Sequence, residues 1–553
     1  MTITAAGLCD SDCQNGCDLE RAVCGEYISV FDVFKFGLGP SSSHTNGPMF
    51  GSKLFVDSLR REKFIPAVHA TEGAELPYDR SLRVVVDLYG SLATTGKGHR
   101  TDVSVIVGLL DWTPDVILPD VCQECYEKVR ASKTLNLGRS MKIDFDYQTD
   151  LNWNMDEEWP QHPNAMKVSL LNRNTGETLH EERILSIGGG FIKTLDEYEE
   201  GWVDTRDHGS VPYNFLTSAD ILQFCKDEQI DVAELVYRDE ERFNRCSRDE
   251  IHKKLDKIIE CMFEGIVRGC NTDGPLPLKG YDRRSKKIYD RLRTSGERAV
   301  SDHLIALDWI SLYARALNEE NATGGRVITA PTNGAAGTFP AVLYYFKKFH
   351  HTSTQQKLRD MVAVAGAIAT LCKRNGSISG AEAGCQAEIG SACAMASAAL
   401  CHAMGGTPPQ VENAAEIGLE HFLGMTCDPV EGVVVVPCIE RNSMAACKAV
   451  TAARLALLDD GDHMVSLDSC IATMYQSGRD LQSKYRETSA GGLALLARDL
   501  RGRKLTQRDA DLDSEYEISK NRSMSESTTA SPVSTKILAD LAAASPVSTK
   551  ILA

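Results

Sequence analysis

Cys385 lies in GSISGAEAGCQAEIG, Cys427 in GMTCDPVEG and Cys438 in VVVVPCIERN. Each thiol has Gly or Pro close by, at the junction of a loop with a regular element. Backbone N–H groups at such junctions stay free to donate to sulfur, which a thiolate-held metal cluster needs. Three thiolates can carry three irons of a cubane and leave the fourth iron open. Spacing alone also admits a plainer alternative, inert thiols buried in an Ala-rich helical core. That plainer reading is the one taken for Cys393, Cys401 and Cys447.

Other loops gather polar side chains. GLGPSSSHTNGP presents Ser41, Ser42, Ser43, His44 and Thr45 together in a turn tightened by Gly and Pro. A serine cluster by itself is more often a helix cap or a hydroxyl-closed turn. GKGHRTD adds His99, Thr101 and Asp102, although a lone histidine is usually structural. In TAPTNGAAG, residues Thr332, Asn333 and Gly334 suit a nest of N–H groups for a carboxylate at a helix start, or a simple N-cap, or both. Ser377, Ser379 and Glu382 flank Cys385, while Arg441 and Asn442 follow Cys438. Cys122 and Cys125 form a lone CxxC without nearby partners and read as spare thiols on a helix.

The elements that position these loops define an α+β chain. Residues 1–26 form a polar extension containing Cys9, Cys13, Cys17 and Cys24. From 27 to 205 helices mix with alternating strands, an α/β sheet domain. SLRVVVDLYG reads as a strand running into a turn, and AMKVSLLNRNTGETLHEERILSIGGG as a hairpin and then a third strand. Asn174, Thr175 and Gly176 supply the hairpin turn. From 206 to 503 strand signals nearly vanish and Ala-rich helical segments follow one another, a compact all-α catalytic domain. Residues 504–553 read as a disordered tail in which SPVSTKILA occurs twice.

Bulk properties narrow the partners. The formal net charge is −17 and no basic block or stripe occurs, which argues against nucleic acid or an anionic membrane. No run of about 18 uncharged apolar residues is present, so a spanning helix is not expected. The start lacks a basic region followed by an apolar one, so the expected location is cytoplasmic.

The segments SVFDVFKFGLGPSSSHTNGPM, GHRTDVSVIVGL, LSIGGGF, RVITAPTNGAAGTFPAVL, NGSISGAEAGCQAEIGSACAM, ENAAEIGLEHFLGMTCDPV, VPCIERN and KYRETSAGGLA closely resemble the single-chain iron–sulfur L-serine dehydratases. The resemblance implies a 4Fe–4S cluster on Cys385, Cys427 and Cys438, conversion of L-serine to pyruvate and ammonia, and a homodimer. It implies that the open iron acts as a Lewis acid on the substrate hydroxyl. His44, with Ser43 and His99, becomes the candidate for proton transfer, since a histidine titrates near working pH. Ser41, Ser42, Thr45, Thr332, Asn333, Gly334, Ser377, Ser379 and Arg441 become candidates for binding the substrate. The sheet domain is similar to the family's allosteric serine-binding domain. A cluster-dependent lyase for another hydroxy amino acid, or a serine sensor of the same fold, is the alternative. A pyridoxal-dependent deaminase would need a lysine-centred motif, and none stands out.

Several positions depart from the family pattern. Many relatives end on a cysteine that reaches back to the open iron, whereas this chain has none after Cys470. One of the four N-terminal thiols is a possible substitute. The family commonly has Gly-Gly and a Gln between the second and third ligands, where this chain has Glu431-Gly432 and Val435. Lys484, Arg486, Glu487 and Thr488 belong to a family-like segment with no role assigned from sequence.

Overall fold

The strands pack a core on one face, most plainly over Leu82–Tyr89, where buried and part-exposed side chains alternate with a period of two. In chain order they are β1 (Phe36–Leu38), β2 (Leu82–Tyr89), β3 (Thr134–Leu137), β4 (Met141–Asp144), β5 (Leu151–Asn154), β6 (Ala165–Asn172), β7 (Thr178–Ser186), β8 (Ile192–Thr194) and β9 (Arg326–Ile328). This computed structural model describes residues 27–67, 75–200, 211–294, 302 and 304–495. The expectations for Cys9, Cys13, Cys17, Cys24 and the duplicated tail lie outside the described residues.

In β2 the side chains of Leu82, Val84, Val86 and Leu88 are buried while Arg83, Val85 and Asp87 are partly exposed. The main sheet runs β5-β2-β6-β7-β8, with β2 parallel to β5 and every other pair antiparallel. Its hairpin closes where Gly176, at φ +74°, donates its N–H to the Asn172 carbonyl at 2.8 Å. Of the hairpin and third strand expected over residues 165–190, the hairpin is β6 and β7, β7 runs unbroken from Thr178 to Ser186, and the next strand, β8, begins only at Ile192. Along β7 the side chains from Thr178 to Arg183 are exposed or half-buried and those of Ile184, Leu185 and Ser186 are buried. Helices α1 (Gly47–Arg61) and α2 (Thr101–Leu109) share a core with this sheet, Phe55, Leu59 and Ile106 joining Val84 and Leu88. A Cβ on Gly108 would stand 2.4 Å from the Met49 carbonyl oxygen, so the two helices cross backbone to backbone.

The helical region comprises α3 (Arg248–Asn271), α4 (Ile305–Ala322), α5 (Thr338–Phe349), α6 (Gln355–Asn375), α7 (Ser391–Ala403), α8 (Pro408–Glu420) and α9 (Cys438–Leu458), among shorter helices. Every residue of α7 except His402 is buried, because α5, α6, α8 and α9 all pack around it. A helix surrounded on all sides works only with small side chains, hence its Ala, Ser and Cys. Where α8 crosses α7, a Cβ on Gly418 would meet Ser397 Oγ at 2.6 Å. Among the described residues no helix is long and apolar enough to cross a membrane.

The first described residues pack with the helical region although they precede the sheet. Val30, Val33 and Phe34 enter the helical core, and β1 pairs antiparallel with β9. Glu240 fixes this connection, accepting from Tyr27 Oη (2.9 Å), Ser29 Oγ (2.8 Å), the Val30 N–H (2.7 Å) and Asn244 Nδ2 (2.6 Å). Burial pushes its carboxyl up to about 7, against the pull of those donors.

Between Cys427 and Cys438 the chain turns through Glu431 at φ +58° and Gly432 at φ +66°. Two consecutive left-handed residues explain a Gly-Gly preference. Glu431 is half-buried, and Val435 is buried against Leu278 and Ile439. Replacing Glu431 with Gly is expected to raise stability by about 1 kcal/mol through relief of the left-handed penalty; a urea melt showing no gain refutes that. Gly269 on α3 gives the opposite case, since a Cβ there would stand 2.1 Å from the Ala316 carbonyl oxygen on α4. Gly269→Ala is expected to destabilise by about 1–3 kcal/mol despite alanine's better helix propensity. An unchanged or raised Tm contradicts this close packing.

Candidate active site

Two π-helical turns, each continued directly by a regular helix, present the chemistry. Ser42–Asn46 leads into α1 and Gln386–Gly390 leads into α7. Such widened turns recur at functional sites because they redirect side chains and backbone groups. Ser41 Oγ caps the first, accepting from the His44 N–H at 3.2 Å. Two asparagines lock this turn to the loop after β9. Asn46 Oδ1 accepts from the Leu38 N–H at 3.0 Å, and its Nδ2 donates to Asn333 Oδ1 at 3.3 Å. Asn333 Nδ2 donates to the Leu38 carbonyl at 2.8 Å, and its N–H to Ser42 Oγ at 3.4 Å. Thr332 Oγ1 accepts from the Ala335 N–H at 3.3 Å and donates to Glu388. Gly334 passes so close to that carboxylate that a Cβ would lie 2.6 Å from Glu388 Oε2.

His44 and His99 lie together, ring centroids 4.5 Å apart, and both are buried. Their tautomers follow from their neighbours. Ser91 Oγ donates to the Glu487 carbonyl at 2.8 Å, so His44 Nε2, 3.0 Å away, is the donor to Ser91. His44 Nδ1 therefore carries the lone pair and faces Ser43 Oγ at 2.9 Å and Glu487 Oε1 at 3.7 Å. Ser43 Oγ is itself 3.2 Å from Ser41 Oγ. Likewise Thr95 Oγ1 donates to the Ser91 carbonyl, so His99 Nδ1 donates to Thr95 at 3.2 Å. His99 Nε2 is then a bare acceptor, buried and without a hydrogen-bond partner among the described residues. Burial first, and then neighbouring His99, hold His44 well below its ordinary range; burial pushes His99 down to about 4. Thr45 Oγ1 donates to the His99 carbonyl (2.7 Å) and Thr101 Oγ1 to the His44 carbonyl (2.6 Å), fixing the two loops to each other. Asp102 faces elsewhere, accepting from Tyr126 and Tyr147.

The thiols arrive from the helical side. The sulfurs of Cys385 and Cys427 and a carboxylate oxygen of Glu388 lie within 4.8 Å of one another. Cys438, the first residue of α9, stands outside that trio but close enough for a charge on Cys385 to act on it. Bonding to Cys385 and burial push the Cys427 thiol well up; burial and then Cys385 do the same to Cys438. Thiolates crowded in a buried place oppose one another's ionisation, and a bound cation removes that opposition. Arg441 pins the Cys427 loop on both sides of the thiol, donating to the Thr426 carbonyl (2.6 Å) and to Asp428 Oδ1 (2.9 Å). The Cys427 N–H donates to the Tyr485 carbonyl and its carbonyl accepts from the Glu487 N–H, both at 2.8 Å. Burial, then Glu388 and Cys385, hold the Glu487 carboxyl well above its usual range, and burial pushes Glu388 up to about 7. Glu487 Oε2 and Ser379 Oγ are buried without hydrogen-bond partners among the described residues. Ser377 Oγ donates to Glu382 at 2.6 Å and accepts from the Ser379 N–H.

Sequence reasoning missed Ser91 and Glu388. An acid three residues past Cys385 within an Ala-Gly run was the available signal for Glu388; nothing local marks Ser91. Cys122 and Cys125 are free thiols on the helix Pro119–Ser132.

Comparison with known proteins agrees with this architecture. The family described as serine dehydratase beta chain matches residues 29–197, and serine dehydratase alpha chain matches residues 227–494. L-serine dehydratase 2 of Escherichia coli is 43% identical over 469 residues, spanning 85% of this chain and 98% of the relative. The L-serine dehydratases of Streptomyces coelicolor and Haemophilus influenzae are each 42% identical, spanning 85% of this chain and 98% and 99% of themselves. The chain belongs to the serine dehydratase family, with the beta and alpha chains of that family joined in a single polypeptide.

Proposed function

We propose that this protein is an L-serine ammonia-lyase, converting L-serine to pyruvate and ammonia, with a 4Fe–4S cluster held by Cys385, Cys427 and Cys438. In this reading it works in the cytoplasm as a homodimer. The observation that carries it is the meeting of thiols and histidines through one short segment. The Glu487 N–H bonds to the Cys427 carbonyl while the Glu487 carboxyl lies beside His44 Nδ1. The donor set fits the cluster: Cys385, Cys427 and Cys438 are buried, the first two sulfurs lie within 4.8 Å of each other, and Arg441 fixes the Cys427 loop. When bound, the cluster supplies an open iron as a Lewis acid that makes the substrate hydroxyl a better leaving group.

The protein's own groups do the rest. His44 is neutral with its lone pair on Nδ1, the form required to take the poorly acidic Cα proton. Ser41 and Ser43 orient that nitrogen, and His99 Nε2 offers a second acceptor beside it. Ser42, Thr45, Thr332, Asn333, Gly334, Ser377, Ser379 and Arg441 wall the chamber in this proposal. Burial of nearly all these groups excludes water while the proton moves. Loss of hydroxide leaves an aminoacrylate, which tautomerises to an imine and hydrolyses.

Protein purified without oxygen is expected to carry about four irons and four sulfides per chain and to release pyruvate from L-serine, with activity lost in air. Metal-free protein that still forms pyruvate overturns the reading. His44→Ala is expected to lower kcat by roughly 10²–10⁴-fold with the iron content retained. A variant within threefold of the parent kcat removes His44 as the base.

A further inference from the structure

Three loops far apart in the chain each bring a group with lone pairs to the same place. His44 stands in the first π-helical turn, His99 in the loop ahead of α2, and Glu487 in the segment paired with Cys427. A ring nitrogen of each histidine and a carboxylate oxygen of Glu487 lie within 4.8 Å of one another, and all three residues are buried. His44 Nδ1 and Glu487 Oε1 are 3.7 Å apart. His99 Nε2 and Glu487 Oε2 have no hydrogen-bond partner among the described residues, which is costly for buried polar atoms.

The far side of each ring is already fixed. His44 Nε2 donates to Ser91 Oγ at 3.0 Å, and His99 Nδ1 to Thr95 Oγ1 at 3.2 Å. A histidine whose outer N–H is held while its inner nitrogen keeps a lone pair is set up as a metal ligand. Ser43 Oγ, which faces His44 Nδ1 at 2.9 Å, also lies 3.2 Å from Ser41 Oγ and so has another acceptor to turn to. Two imidazoles and a carboxylate are a donor set for a borderline divalent ion. With bonds of about 2.0–2.1 Å, a tetrahedral zinc sets its ligand atoms about 3.4 Å apart. The 3.7 Å between His44 Nδ1 and Glu487 Oε1 is close to that spacing.

We propose that His44 Nδ1, His99 Nε2 and the Glu487 carboxylate form a second metal site, one for a divalent ion of zinc's class with its fourth position open to water. The site uses no sulfur and is distinct from the three thiols. Its existence stands on the geometry of these residues alone. That an ion there stops turnover rests on the reading of His44 as the base, because the ion takes the lone pair that would accept the Cα proton. The lyase is then zinc-sensitive by construction, working only while this trio is free of metal.

Zinc itself is the probe, added to oxygen-free parent protein and variants whose iron content is verified before and after. Dialysis is expected to load about one zinc per chain whose X-ray absorption shows nitrogen and oxygen neighbours at about 2.0–2.1 Å. Zinc on thiols elsewhere in the chain gives sulfur at about 2.3 Å instead. Glu487→Gln, close in shape to the parent, and His99→Ala are each expected to weaken the nitrogen–oxygen zinc about 100-fold or more. Thr95→Val, which leaves all three ligands in place, is expected to weaken it about 10-fold. Pyruvate release by the parent is expected to stop on loading and to return on chelation with the iron count unaltered. Zinc held only by sulfur, or equal zinc affinity in the parent and both ligand variants, overturns the site and leaves the proposed reaction standing. Turnover undisturbed by a loaded nitrogen–oxygen zinc leaves the site standing and overturns His44 as the base.

Discussion

The site depends on one backbone pairing, that between Cys427 and the segment Tyr485–Glu487. These two 2.8 Å hydrogen bonds bring the backbones of a thiol-bearing and a carboxyl-bearing residue, 60 positions apart, together. The neighbouring contacts reinforce the pairing. Arg441 holds residues 426 and 428, Asp428 Oδ2 accepts from the Leu493 N–H at 2.7 Å, and Ser489 Oγ donates to the Pro429 carbonyl at 2.6 Å. Each bond is worth little alone, but together they hold buried polar groups that would be expensive to leave unmet. Arg441 thus has a structural employment beside the thiols, whatever else it meets.

Close packing makes that arrangement possible at all. Because α7 is built from Ala, Ser and Cys, its neighbours approach near enough for the loops at their ends to converge. The same logic reaches the sheet region. A Cβ on Gly98 would stand 2.3 Å from the Gly432 carbonyl, so the turn between Cys427 and Cys438 presses directly on the loop bearing His99. A turn with two left-handed residues is needed to make that contact, and this chain accepts Glu431 in a place better suited to glycine.

Much of this was readable in the sequence, for reasons that differ by element. α4 to α7 and α9 announce themselves by composition and period, since a crowded helical core needs small residues at every turn. The thiol loops and the His44 loop are dense in Gly, Pro and hydroxyl residues, a local signal of special geometry. The third strand was placed too early because β7, exposed or half-buried at first and buried at its end, looks like two elements when only hydrophobicity is followed. Ser91 carried no such signal, and Glu388 only its place three residues past Cys385. Their importance arises from partners 47 and 56 positions away, Ser91 with His44 and Glu388 with Thr332, and pairing over such distances is decided by the tertiary fold.

The division of chemistry between the two regions follows from what each can supply. A crowded all-α core offers burial and fixed loop ends, which suit sulfurs that must stay together while excluded from water. A sheet with helices on its face leaves strand ends and crossover loops whose carbonyls and hydroxyls remain available, and these settle the tautomers of His44 and His99. Neutral imidazoles are the outcome required of both. Charged rings 4.5 Å apart, both buried, would repel each other and any cation nearby. Keeping the histidines neutral therefore serves two purposes: it permits a cationic group to sit nearby, and it leaves a lone pair ready for a proton.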